Sequence, residues 1–192
     1  RVQADSKYYA FSMSMDAANG FSGGAPASAN AHLAADHIGP VNVCSLLSFQ
    51  GSRLRCLEAG VIRAAASAPL PERLARMSAG LREVLERHRP DEVAVEDVFV
   101  KIDPKAALAV GHGRGALLAV VGAAGLPAAS YPPATIKKAL TGSGRAAKDR
   151  VARMVAAVLG LPEAPEPLDA TDALAVAITH ALAMKGNRAV GR

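Results

Sequence analysis

Residues 167–182 read PLDATDALAVAITHAL, an apolar stretch of helical length that opens with two carboxylates, Asp169 and Asp172. A helix apolar all round is a helix meant for burial, so the fold must offer it a partner surface such as a sheet. Residues three apart share one helix face, so both acids point the same way. Aspartate in a first helical turn complements the helix dipole, worth about 0.3–1 kcal/mol. That accounts for the pair unless other acids converge on it.

The remaining 176 or so residues set the frame for that question, since about 190 residues suit one domain of ordinary size plus a tail. Apolar residues make up 51 % of the chain while aromatics make up 4 % and Trp is absent, so the core has to be built from Ala, Val, Leu and Ile. Lys and Arg total 22 against 17 Asp and Glu, a formal charge of +5, which is compatible with a polyanionic partner. Cys44 and Cys56 form neither a metal-ligand spacing nor a disulfide framework, which suits a reducing cytoplasm. No run approaches the roughly 18 apolar residues of a membrane span, and no secretory signal pattern is present.

Residues 1–32 are rich in Ala, Ser, Gly and Asn without a sustained period, and are expected to be a poorly ordered or foreign leader. The domain is expected over 33–184, with 33–51 atypical, followed by a basic tail at 185–192. VNVCSLLSF and SRLRCLEAGVIR read as two strands joined by a turn at Gln50-Gly51. ERLARMSAGLREVLERH places Leu74, Met77, Leu81, Val84 and Leu85 at helical spacing on a charged helix. DEVAVEDVFV is a short buried strand, PKAALAVGHGRGALLAVVGAAG a helix, and PAASY another strand. ATIKKAL, the glycine loop and helix of TGSGRAAKDRVARMVAAVLGL, and the Asp169 helix complete the chain. Strands first, then helices interleaved with strands, predict an α/β domain with a mixed sheet covered by helices.

Glu96 falls near the end of the buried strand, where open α/β sheets place ligands. Three carboxylates brought together repel one another and shift upward in pKa. A hard divalent cation with oxygen ligands resolves that conflict, and Mg²⁺ suits sites where phosphate supplies the remaining ligands. Paired metals clamp the attacking and leaving oxygens of a phosphodiester. That reading asks for a fourth acid from an early strand.

In this order, DEVAVEDVFV, GHGRG, YPPATIKKALTGSGRAAKDRV and LDATDALAVAITH resemble the RuvC family of Holliday junction resolvases. The likeness runs from about Ser52 to Ala183. It implies an α/β, RNase H-like fold: a mixed five-stranded sheet flanked by helices on both faces. It implies a Mg²⁺-dependent, structure-selective endonuclease that resolves four-way DNA junctions by paired nicking in recombination and repair. Glu96, Asp169 and Asp172 fall on the family's metal ligands, with two Mg²⁺ per subunit implied and Mn²⁺ as a substitute. A homodimer is implied too, with the RuvA–RuvB branch-migration complex as partner.

The family's opening Asp-Pro-Gly strand is missing. Ungapped counting back from SRLRCLEAG places Asp36, within LAADHIGPVNV, at the position of the fourth acid; Asp16, in SMSMDAANGF, is the alternative. The corresponding functional alternatives are a junction-binding protein that lacks the first catalytic motif, and another RNase H-like nuclease.

Lys137 and Lys148 match DNA-contacting lysines of the family, and Lys138, Arg145 and Arg150 extend the basic patch. Lys148 opens a helix fed by Gly142-Ser143-Gly144, so main-chain N–H groups and the positive helix end can face a phosphate. Phe99 matches an aromatic that stacks on a base at the branch point. GHGRG, residues 111–115, sits within a helical pattern and is weak as a nucleotide loop; its small residues suit a close helix approach, and the resemblance implies a dimer interface. His112 and His180 read as surface or packing residues rather than general bases.

Overall fold

The computed structural model describes residues 7–14, 41–50, 53–62, 64–65, 67–97, 104–163 and 168–189. Five strands among them form one mixed sheet in the order β3-β2-β1-β4-β5. Strands β1 (Lys7–Ser14), β2 (Val41–Gln50) and β3 (Arg53–Ile62) form an antiparallel meander, and β4 (Glu92–Glu96) and β5 (Ala128–Tyr131) extend it in parallel from β1. Strands β2 and β3 pair as expected, with Gln50, expected in the turn, at the end of β2 opposite Arg53; Gly51 and Ser52 lie outside the described residues. The parallel pairs are joined by helices, as parallel geometry requires: α1 (Leu70–His88) precedes β4 and α2 (Pro104–Ala123) links β4 to β5. Helices α3 (Pro133–Thr141), α4 (Lys148–Leu159) and α5 (Leu168–Ala189) follow.

Strand alternation sorts the core into two layers. Val93 and Val95 of β4 face α1 and α2, meeting Met77, Leu81, Leu85, Leu117, Val120 and Val121. Ala94, between them in sequence, joins Ala10, Leu47 and Leu54 on the other face, under α3, α4 and α5. Helices therefore cover both faces of the sheet. Residues 173–178 of α5 are all buried and four of the nine residues from 173 to 181 are alanine, so the helix sits close across β1 and β2. Of the segment expected to bury itself, residues 173–181 are buried, while Asp172 is half-buried and Leu182 is exposed.

One expectation is corrected. Lys7–Ser14, assigned by composition to a leader outside the domain, is the central strand of the sheet, hydrogen-bonded to β2 on one side and β4 on the other. Tyr8, Tyr9 and Phe11 have the bulk that strands favour, but that short signal is submerged in Ala, Ser and Gly neighbours. Asp16, Asp36 and Phe99 lie outside the described residues.

Candidate active site

Glu96 ends β4, the strand next to the centre of the sheet. Burial pushes its carboxyl up to about 7, the negative charge of Asp172 adds to the rise, and Lys148 and Lys137 oppose it. Four residues from β4, α5, α4 and α3 thus act on one point at the C-terminal edge of the parallel strands. Asp172 stands on α5, half-buried, with its Oδ2 3.7 Å from the Lys148 ammonium. Asp169 occupies the same helix one turn earlier, and its side chain lies outside the description.

The lysines arrive by local rules. Pro132 and Pro133 start α3, since proline at the first helical positions loses no hydrogen bond. Gly142 ends the helix at φ 78° with its N–H on Lys138 O, a left-handed conformation that glycine adopts at least cost. The loop after it is tied down: Thr141 Oγ1 donates to Lys137 O at 2.8 Å and accepts the Ser143 N–H at 3.2 Å, and Arg150 reaches Thr141 O at 3.4 Å. A Cβ on Gly144 would meet Ala134 O at 3.0 Å, so the loop lies against the start of α3. Helix α4 then begins at Lys148 after Ala147, with no side-chain cap. Its first N–H groups remain for an outside acceptor. Arg145 and Lys138 are exposed beside it, while Lys137 is half-buried.

Two sets of contacts that the sequence did not foretell brace this edge. Arg114, the arginine of GHGRG, donates to Asp97 Oδ1 and to Ser130 Oγ, both at 2.8 Å, and so ties α2 to the residue after Glu96 and to β5. On the other face, buried His180 meets the Tyr131 hydroxyl at 2.9 Å through Nδ1 and Glu92 Oε2 at 3.1 Å through Nε2. Burial holds the imidazole below its ordinary pKa, against the pull of Glu92, and burial raises the Tyr131 phenol. These bridges span 16 to 88 residues of sequence, beyond any local pattern; only the strand-end positions of Asp97 and Tyr131 hinted at them. His180 is a packing residue with polar partners, and His112 is exposed.

The family model described as crossover junction endodeoxyribonuclease RuvC matches residues 41–180. The chain belongs to the RuvC family. A relative from Azorhizobium caulinodans, a crossover junction endodeoxyribonuclease RuvC, is 47 % identical over 137 residues, covering 71 % of this chain and 80 % of the relative. The solved RuvC structure of Thermus thermophilus superposes with a TM-score of 0.76 at 32 % identity, covering 94 % of this chain and 96 % of that one. The same protein in complex with Holliday junction substrate gives 0.74 at 29 % identity over 94 % and 95 % of the two chains. The RNase H-like fold implied by the resemblance is therefore the fold observed. The match to the family model starts at β2, and the structural match covers more of the chain than that model does.

Proposed function

We propose that this chain is a Mg²⁺-dependent endonuclease that resolves four-way DNA junctions by paired nicking, leaving 5′-phosphate and 3′-hydroxyl ends. The observation that carries the reading is the edge where Glu96 and Asp172 repel each other beside Lys148 and Lys137. Two half-buried carboxylates, the charge of Asp172 raising the proton affinity of Glu96, make a hard-oxygen donor set that a divalent cation relieves. Among the described residues no three His, Cys, Asp or Glu side chains gather as a ready-made site. Asp169, one turn from Asp172, and Asp36 complete the proposed acid set. When bound, Mg²⁺ supplies positive charge at the scissile phosphate and acidifies the attacking water; two ions per subunit, replaceable by Mn²⁺, suit four acids.

The chain's own groups do the positioning. Lys148 and the uncapped N–H groups of α4 face a backbone phosphate, Lys137 holds the phosphate nearest Glu96, and Arg145 and Lys138 follow the strand outward. Phe99, three residues beyond Glu96, is the proposed base-stacking residue. A dimer joins two such sites for the two nicks: Leu108 is 62 % exposed on α2, and Cβ atoms added at Gly111, Gly115 or Gly122 would meet nothing. That smooth face suits a second copy of the chain. By the same resemblance the RuvA–RuvB complex is the expected partner and the cytoplasm the expected location; no described helix is long and apolar enough to cross a membrane.

Glu96→Gln is the direct test. It should abolish Mg²⁺-dependent nicking of a synthetic four-way junction while junction affinity stays equal or rises, because a ligand and a repulsive charge leave together. Nicking at the unsubstituted rate would overturn the reading.

A further inference from the structure

Glu92, His180 and Tyr131 form a chain of side chains between the sheet and α5, and the polarity of that chain follows from its members. Glu92 Oε2 lies 3.1 Å from His180 Nε2, close enough for a charge contact but off the line of a good hydrogen bond; a carboxylate only accepts, so its charge favours the tautomer with the proton on Nε2. Nδ1 is then bare and accepts the Tyr131 hydroxyl proton across 2.9 Å. Both ring nitrogens are used, one on β4 and one on β5, and the Tyr131 and His180 rings meet edge-on with centroids 5.8 Å apart. The geometry relates directly to the acids. Tyr131 is the β5 residue paired with Glu96, and its carbonyl accepts the Asp97 N–H at 2.9 Å. Glu92 lies four residues before Glu96 on the same face of β4. His180 lies eight residues after Asp172 on α5, about 12 Å along the helix axis.

We infer that the Glu92–His180–Tyr131 bridge is a positioning network that sets the height and rotation of α5 against β4 and β5, and so the separation of Asp172 from Glu96. Ala173, Leu174, Ala175, Val176, Ala177 and Ile178 of α5 pack through apolar contacts, which carry no directional bond to fix its height on the sheet. An imidazole held to β5 by a hydrogen bond and to β4 by a close charge contact gives it one register. The network rests on the reading of Glu96 and Asp172 as the cation-binding pair, and none of its three members touches substrate.

Tyr131→Phe removes one oxygen and leaves the packing shape. In the full chain it should weaken Mn²⁺ binding, measured by calorimetry without DNA, about tenfold, the range in which groups that orient metal ligands act. On a four-way junction it should lower kcat and raise the Mg²⁺ concentration for half-maximal nicking, with KM for the junction within twofold. Glu92→Gln, which keeps an acceptor for Nε2–H, should retain more Mn²⁺ affinity than Glu92→Ala and provides the same readout should Tyr131→Phe not fold. A folded Tyr131→Phe chain with unchanged Mn²⁺ affinity and unchanged Mg²⁺ dependence overturns the network while leaving the nuclease reading intact. An unsubstituted chain that binds no Mn²⁺ overturns both. Mn²⁺ binding weakened by Tyr131→Phe, in a chain that never nicks, upholds the network and overturns the nuclease reading.

Discussion

The Lys148 ammonium stands 3.7 Å from Asp172 Oδ2, and its charge also lowers the proton affinity of Glu96. One exposed lysine at the start of α4 therefore sits between the acidic edge and the solvent from which a DNA backbone would approach.

That placement gives Lys148→Ala two effects. Losing a phosphate contact should flatten the slope of log affinity against log salt by about one, measured by titrating a four-way junction at several salt concentrations in EDTA. Stability should barely move, since a long, exposed ion pair contributes little, about 0–1 kcal/mol. An unchanged slope would assign Lys148 to Asp172 alone.

Glu96 should make the metal-free protein pH-sensitive. Its folded pKa of about 7 lies above the ordinary 4.5, so the fold penalises the charged form. Below pH 4.5 the carboxyl is protonated in both the folded and unfolded chain and nothing is lost; as pH rises through 7 the penalty develops in full. Glu96→Gln stays neutral throughout. In EDTA it should be more stable than the unsubstituted chain by about 2–3 kcal/mol at pH 8, and equally stable near pH 4, by denaturant melts. A constant difference across that range would contradict a buried, charge-crowded Glu96.

Arg114 makes the opposite kind of contribution. Its pair with Asp97 is partly exposed, so Arg114→Met should cost no more than about 1 kcal/mol. Yet it frees the residue next to Glu96 and unlinks β5 from α2. Nicking at saturating junction should fall about tenfold, the scale on which orienting contacts act; a rate within twofold of the unsubstituted chain would make the contact a surface ornament.

The sequence was legible where burial has a short period and opaque where pairing is distant. Met77, Leu81 and Leu85 mark the core face of α1 without help from the fold. The Asp169–Asp172 spacing and the strand-end position of Glu96 suffice to point at one edge of the sheet. Strand β1 was hidden because its assignment depends on partners 41 and 84 residues away, such as Ser48 for Lys7 and Val95 for Phe11, and not on its own Ala- and Ser-flanked pattern. Tyr131 and Arg114 look like ordinary strand and helix residues until β5 is laid beside β4.

The position of β1 sharpens the question of the fourth acid. Parallel pairing runs from Tyr8–Glu92 to Phe11–Val95, so one further step brings Ser12 level with Glu96, and no acid occurs in KYYAFSMS. The proposed fourth ligand then comes from outside the strand. Ser14 pairs with Val41, so the connection between β1 and β2 leaves and returns at the edge where Glu96 lies. Asp36 precedes Val41 by five residues, a tether of at most about 18 Å, and is within reach. Asp36→Asn should then reduce Mg²⁺-dependent nicking as severely as Glu96→Gln. Adding Ser12→Asp to that variant should restore part of it, because a carboxylate level with Glu96 replaces the lost ligand from inside the sheet. Nicking of a synthetic junction by the single and double variants, each first checked for folding, decides the matter. Full activity of Asp36→Asn together with loss in Asp16→Asn would transfer the role to Asp16, two residues past the end of β1.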